Sequence, residues 1–320
     1  MVTSRVFLPF GLVVLTSAVL IAQHDTLSRH RAAGRPDLEG TWISAMLTPL
    51  QRPMEFRDQS AFTPAEAAEF ARNREARVRS RMLTDADRLT QADADDTFVE
   101  TETFALDGLR TSLIVDPANG RLPPQVPAAA ARIAGRPKRS FDDPESVSLA
   151  ERCLLGMYGL GGSTASPPMV PSEVVPAYYR ILQTDTNVMI FTEWMHDARV
   201  VRLNGTHLPP TIRSWLGDSI GHYEGDALVV DTTNFRRETH NLDSGERLHV
   251  VERFMRIDAT TIRYRVTAED PETWTTPWTA EWPFKATDQR MFAAECHEGN
   301  RAIEGFLRGA RAEERERQKR

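Results

Sequence analysis

The chain has 320 residues, of which 41% are hydrophobic and 26% charged, and its formal net charge is −6. This length is sufficient for one large domain or two smaller ones with a substantial core. The acidic balance argues against nucleic acid as a partner, because neutralising phosphates requires a basic surface.

The N-terminal residues have the pattern of a secretory signal. Arg5 precedes an apolar stretch over residues 6–22, and the polar residues Gln23-His24-Asp25 follow. This order predicts a signal peptide over residues 1–22 and a periplasmic or secreted mature protein. The alternative is a retained anchor, since the stretch approaches the roughly 20 apolar residues that a membrane span needs. No later apolar run is long enough to cross a membrane.

The rest of the chain is interpreted as one β-rich domain with helical additions. Thr63 and Glu66 form a capping box around Pro64, which predicts the start of a surface helix. The predicted segments are a polar lead-in (23–39), the β-rich domain (40–300) with a helical insertion (about 64–83) and an irregular loop (about 121–175), and a charged C-terminal helix (301–320).

Short strand-like runs separated by turn residues dominate from Tyr178 onward. Three hairpins are predicted, with turns at residues 224–226, 258–260 and 287–289. Regular short strands with tight turns predict a mainly β fold built as an antiparallel meander. The edges of such a sheet are protected in a sandwich or in a barrel. We expect a closed or partly closed barrel.

Four sequence strings resemble a widespread family of exported bacterial proteins of unknown function. They are HDARVVRLNG, WLGDSIGHYEGDALVVDTTNF, LHVVERFMRIDATTIRYRVTAEDPETWTTPWTAEWP and ECHEGN. The resemblance extends over roughly residues 36–310 and implies no catalytic assignment. In addition, Gly40-Thr41-Trp42 is similar to the G-x-W opening of lipocalin-like barrels, which favours a closed barrel with a cavity.

Charged residues within apolar strands are the candidates for catalysis. Strand alternation places Glu193 and Glu252 on faces with apolar neighbours. A carboxylate in that position either has a basic partner, often Arg, or has a raised pKa suited to acid–base chemistry. A structural Arg–Glu pair is the simpler interpretation. The candidate catalytic residues are Glu193, His196, Asp197, Arg199, His222 and Glu252.

A second set of residues has the character of a ligand site. Trp278 and Trp282 share one face of a strand, where they form either a stacking platform for a ligand or part of the core. Asp218 and Asp231 flank the hairpin that contains His222. The candidate ligand-binding residues are Trp215, Asp218, Asp231, Trp278 and Trp282.

Metal and cofactor motifs are missing from the sequence. Histidines recur near strand ends, at positions 196, 207, 222, 240, 249 and 297, but none has HxH or HExxH spacing. We therefore predict neither a metal nor a cofactor. Cys153 and Cys296 are the two cysteines, and a disulfide or two separate thiols are equally compatible with their spacing.

Three functions are compatible with these patterns. The first is an exported barrel that binds a small apolar or aromatic molecule in a cavity. The second is a cofactor-independent lyase, isomerase or hydrolase that uses the charged residues at the barrel mouth. The third is an envelope scaffold without a pocket. The sequence leaves the ligand, catalysis and the oligomeric state open.

Overall fold

A computed structural model describes residues 35–86, 105–135, 143–155, 164–171, 176–239, 241–292 and 296–319. The predicted signal peptide lies outside the described residues. Within them the strands are β1 (Gly40–Ser44), β2 (Ile114–Asp116), β3 (Ala177–Gln183), β4 (Asn187–Thr192), β5 (Ala198–Leu203), β6 (Asp218–Glu224), β7 (Ala227–Thr233), β8 (His249–Arg256), β9 (Thr261–Glu269) and β10 (Trp278–Ala286). The α-helices are α1 (Pro64–Ala86), α2 (Pro127–Ala134) and α3 (Ala302–Gln318).

Nine of these strands close into a barrel. The order runs from β1 through β3 to β10 in sequence order, and β10 pairs again with β1. Trp42 of β1 therefore stands opposite Tyr179 of β3 on one side and Ala286 of β10 on the other. The short strand β2 adds to β10 outside this ring. The predicted mainly β, closed barrel is confirmed.

One strand pair differs from the predicted antiparallel meander. β5 and β6 are parallel, with Val201 opposite Ser219. Parallel neighbours need a crossover of a dozen or more residues, and residues 204–217 supply it. The crossover re-enters the sheet at Gly217, whose φ is +73° and whose position has no room for a side chain: an added Cβ would lie 2.8 Å from the Thr233 carbonyl oxygen.

The predicted third hairpin is wrong. In the described residues after β10, at 287–292 and 296–301, no residue is in a strand. The physical reason is that β9 pairs along one edge of β10, and the other edge is already used at both ends, by β2 at Thr279 and Ala280 and by β1 at Lys285 and Ala286.

Aromatic side chains fill the barrel interior. Tyr179 stacks on Phe284 with ring centroids 5.0 Å apart, and Tyr264 packs against Trp282 at 4.7 Å. Trp42 lies against the lead-in segment, where its indole N–H donates to the Leu38 carbonyl oxygen at 3.0 Å. All five side chains are at most 1% exposed. The interior is therefore a packed core of large side chains.

The helices follow local sequence rules. The capping box is present: the Thr63 amide donates to Glu66 Oε2 at 2.7 Å and the Glu66 amide to Thr63 Oγ1 at 3.3 Å. The helix α1 starts where it was predicted and ends at Ala86 instead of about residue 83. The predicted irregular loop contains α2, because Pro127 stands at its first position and four alanines, the best helix formers, follow.

A disulfide joins two distant parts of the chain. Cys153 and Cys296 are bonded, with their Cα atoms 5.5 Å apart. The bond connects the segment before β3 to the segment between β10 and α3. In the described residues, no helix is long and apolar enough to span a membrane.

Candidate functional site

A charged pair lies inside the barrel. Arg199 on β5 and Glu252 on β8 point inward, and the guanidinium donates two hydrogen bonds to the carboxylate, at 2.5 and 2.9 Å. The Tyr264 hydroxyl donates a third hydrogen bond to Glu252 at 2.8 Å and accepts one from the Met169 amide at 3.3 Å. Arg199 and Glu252 are 2% and 0% exposed. Each carboxylate oxygen is therefore satisfied within the core.

Burial and charge act together on this pair and its neighbour. Burial lowers the pKa of Arg199, but the Glu252 carboxylate raises it by more, so that the net pKa lies above the ordinary value. Burial, reinforced by Glu252, raises the pKa of the Tyr264 hydroxyl well above its usual range. The arginine is therefore charged and the tyrosine neutral. A compensated pair this deep in the core favours a structural role over contact with a substrate.

Three other candidate catalytic residues lie in the turn between β4 and β5. The backbone there is strained, because Met195 and His196 have φ values of 60° and 51° in the left-handed region that non-glycine residues seldom adopt. The Glu193 carboxylate accepts a hydrogen bond from the Phe292 amide at 2.5 Å. The His196 and Phe191 rings stack, with their centroids 5.8 Å apart. Glu193 and His196 thus contact different parts of the chain.

Asp197, at the end of this turn, has a carboxyl group whose pKa differs clearly from the ordinary value. Burial raises its pKa to about 6, and the hydrogen bond from Thr164 Oγ1, 2.9 Å away, partly opposes that rise. A carboxyl group of this kind exchanges a proton near neutral pH, which suits acid–base chemistry.

A histidine–aspartate cluster covers the outer wall of the barrel over β6 to β8. It consists of His207, Asp218, Asp231 and His249. His207 Nδ1 lies 3.0 Å from Asp218 Oδ2, and its Nε2 lies 3.0 Å from Asp231 Oδ1. His249 Nε2 lies 3.1 Å from that same Asp231 oxygen. The His207 ring therefore bridges the carboxylates of Asp218 and Asp231, and Asp231 contacts both histidines.

The cluster holds the crossover against the barrel. Besides His207, Asp218 accepts two hydrogen bonds from the Arg202 guanidinium, at 2.7 and 3.2 Å, and one from the Leu208 amide at 2.8 Å. Burial raises the pKa of Asp218, but these donors outweigh it and lower the net pKa. The aspartates were candidates from sequence. The sequence identifies the two histidines only as residues near strand ends, because the path of the crossover is not evident in local patterns.

A cleft of about 700 Å³ lies on another part of the outer wall. It is lined by Thr41, Arg180 and Phe191 and by residues 286–291. These residues run beside β1, since the Thr287 amide donates to the Thr41 carbonyl oxygen at 3.1 Å. Trp42 and Arg256 also line it, as do the charged residues Glu39, Asp288 and Arg290. None of the cleft residues was a candidate from sequence, because residues 287–292 were expected to form a hairpin.

The remaining candidates, His222, Trp215, Trp278 and Trp282, do not form one site. His222 is exposed and lies 2.8 Å from Glu224. Trp215 packs under the Arg236 guanidinium, 4.4 Å from the ring centroid. Trp278 and Trp282 are fully buried in the core. Their proposed contact with a ligand stays a prediction.

Comparison with family models, curated proteins and solved structures found no match for this chain. The resemblance to an exported family therefore stays a prediction. In the part of the chain that the structure describes, no three His, Cys, Asp or Glu residues are arranged to hold a metal ion.

The buried pair generates a stability prediction. Glu252→Gln leaves the Arg199 charge uncompensated in the core, so we expect a loss of about 3–5 kcal/mol in the free energy of unfolding. The double variant Arg199→Met/Glu252→Leu removes both charges and is expected to recover most of that loss. Arg265→Ala breaks the exposed pair with Glu281 and is the control, with an expected change of about 0–1 kcal/mol. A Glu252→Gln variant as stable as the control in urea unfolding would contradict the structural role.

The histidine–aspartate cluster generates a pH prediction. The hydrogen bond between His249 and Asp231 raises the pKa of His249 above 6.5. Burial opposes this rise, and the charges of Asp231 and Glu269 add to it. The stabilisation of the fold by His249 is complete below pH 6.5 and is lost as pH rises through the raised pKa. Burial raises the pKa of Asp231, but His249 and His207 lower it to a net value below 3.8. Its contribution is present above pH 3.8 and is lost as pH falls further.

We therefore expect the cluster to stabilise the fold most between about pH 4 and 6.5. Melting temperatures of wild type and His249→Gln should differ most in that window and converge above it. His222→Gln is the matched control, because His222 lies on the same outer wall but is more exposed. A wild-type advantage over His249→Gln that grows above pH 7 would refute the assignment.

Proposed function

We propose that this chain is an exported β-barrel protein that binds a small organic molecule in the outer cleft. The observation that carries this proposal is the cleft itself, whose volume of about 700 Å³ is in the usual range for small-molecule sites. It combines the aromatic residue Phe191 with basic residues, among them Arg180 and Arg290. The packed barrel interior favours a site on the outer wall over one in the centre.

Two independent features support export. The N-terminal pattern of Arg5 followed by an apolar stretch is that of a secretory signal. The disulfide between Cys153 and Cys296 is of a kind that persists in oxidising compartments outside the cytosol. A periplasmic or secreted location accounts for both.

Export predicts the ends and thiols of the mature protein. Mass spectrometry should find a new N-terminus between residues 19 and 26, and the same sample should contain no free thiol before reduction. The unprocessed Met1 on membrane-bound protein, or two titratable thiols in protein taken from the periplasm, would overturn it.

Enzymatic activity is the second candidate, and Asp197 is the observation in its favour. Its pKa of about 6 and the strained Met195-His196 turn beside it are features that active sites often share. A binder and an enzyme differ in what happens to the ligand. Incubation of each ligand with the protein, followed by mass spectrometry, is expected to return it unchanged if the protein only binds.

Substitutions in the cleft test the binding proposal. A thermal-shift screen of small organic acids, aromatic compounds and neutral compounds is expected to yield ligands that raise the melting temperature of wild type. Arg290→Ala should weaken those ligands at least about tenfold, because it removes an exposed cation from the cleft. Arg237→Ala also removes an exposed arginine, but one outside the cleft, and should leave affinity unchanged. Equal affinity in both variants would place the site elsewhere.

A further inference from the structure

The outer face of β3, β4 and β5 carries an apolar row. Leu182, Met189 and Val200 stand directly opposite one another on these adjacent strands. Leu182 is 38% exposed and Val200 50% exposed, and Met189 is partly exposed. Neighbouring strands are about 4.8 Å apart, so the row extends roughly 10 Å across the barrel wall. The row is therefore an apolar strip that is open to solvent.

This row continues into the cleft. Arg180, Phe191 and Ala198 form the adjacent row on the same face, two residues away along each strand. The two rows are therefore about 6–7 Å apart. Because Arg180 and Phe191 also line the cleft, cleft and apolar row form one surface.

Charge on this surface is concentrated at the cleft end. Arg180 and Arg290 are exposed there, and one Arg180 nitrogen donates to Thr41 Oγ1 at 2.9 Å. Arg256 differs, because it donates to backbone carbonyl oxygens of Asp37, Asp258 and Ala259. Asp288 and Glu39 add acidic groups, and Glu39 accepts a hydrogen bond from the Gln183 amide at 3.0 Å. Guanidinium groups with exposed N–H donors suit carboxylate or phosphate oxygens.

We propose that the ligand is a free amphiphilic anion. Its carboxylate or phosphate binds Arg180 and Arg290 at the cleft, and its apolar chain lies over Phe191 and along the row of Leu182, Met189 and Val200. This inference rests on the proposed function, because it assigns a ligand class to the same cleft. The continuity of the two surfaces and the position of the arginines at one end determine the orientation of the ligand.

Straight-chain carboxylates from butanoate to decanoate test the proposal by calorimetry, each below its micellar concentration. Each added methylene should tighten binding by roughly three- to fourfold while the chain still covers the apolar row. Decanol has the same apolar chain without the charge and should bind at least about tenfold more weakly than decanoate.

Three variants separate the contribution of the charged head from that of the apolar chain. Val200→Gln and Leu182→Gln should each reduce the affinity for decanoate at least about threefold and leave butanoate unchanged. Met255→Gln is the control, because Met255 is 42% exposed on β8, outside the row. Arg290→Ala should weaken all the carboxylates by the same factor. Melting curves of each variant establish that it is folded.

The outcomes distinguish this proposal from the proposed function. If ligands bind in the cleft with an affinity that does not depend on chain length, or if decanol binds as tightly as decanoate, the amphiphile is refuted and the cleft proposal survives. If decanoate binds but Arg290→Ala leaves its affinity unchanged, both proposals fail. Binding to phosphatidylglycerol vesicles without binding to any monomeric carboxylate would also overturn the amphiphile, in favour of a membrane surface.

Discussion

Closure of the sheet by β1 is the constraint on which the rest of the structure depends. This strand pairs with β3 on one side and with β10 on the other, so the two ends of a nine-strand sheet meet. Alternate residues of every strand must then fill one interior. Large aromatic side chains do so, and the charged pair of Arg199 and Glu252 is tolerated only because each partner compensates the other. A filled interior is the reason that the proposed ligand site is on the outer wall.

Local patterns predicted the elements of the fold better than their arrangement. Turn residues identified the hairpins of β6–β7 and β8–β9, and the capping box identified the start of α1. Direction was harder, because a strand has the same apolar alternation whether its neighbour is parallel or antiparallel. The parallel pair of β5 and β6 was therefore missed. The hairpin expected after β10 was wrong for a related reason: whether β10 has a free edge depends on a pairing with β1, which lies far away in sequence.

In the candidate sites too, local patterns predicted the position of a residue but not its partner, which is distant in sequence. Strand alternation correctly placed Glu252 among apolar neighbours, and the structure supplies the arginine partner that such a position calls for. Which arginine is the partner depends on strand order, because β5 and β8 are separated by two strands and meet only across the interior. His207 pairs with two aspartates because the crossover carries it back over β6 and β7. The cleft was missed because it is bordered by chain that was expected to be a strand.

Two kinds of arginine lie on this part of the outer wall, and they differ in how far their charge is neutralised. Arg202 follows Val200 on the same face of β5, so the apolar row lies between Arg202 and the cleft arginines. The carboxylate of Asp218 occupies the Arg202 guanidinium through two hydrogen bonds, and the pKa of Arg202 is raised by that bonding. Its charge is therefore locally neutralised. Arg180 and Arg290 remain exposed at the opposite side of the row, so the electrostatic attraction for an anion points toward the cleft. Asp218, the first residue of β6, thus neutralises the arginine beside the apolar row on the side away from the cleft.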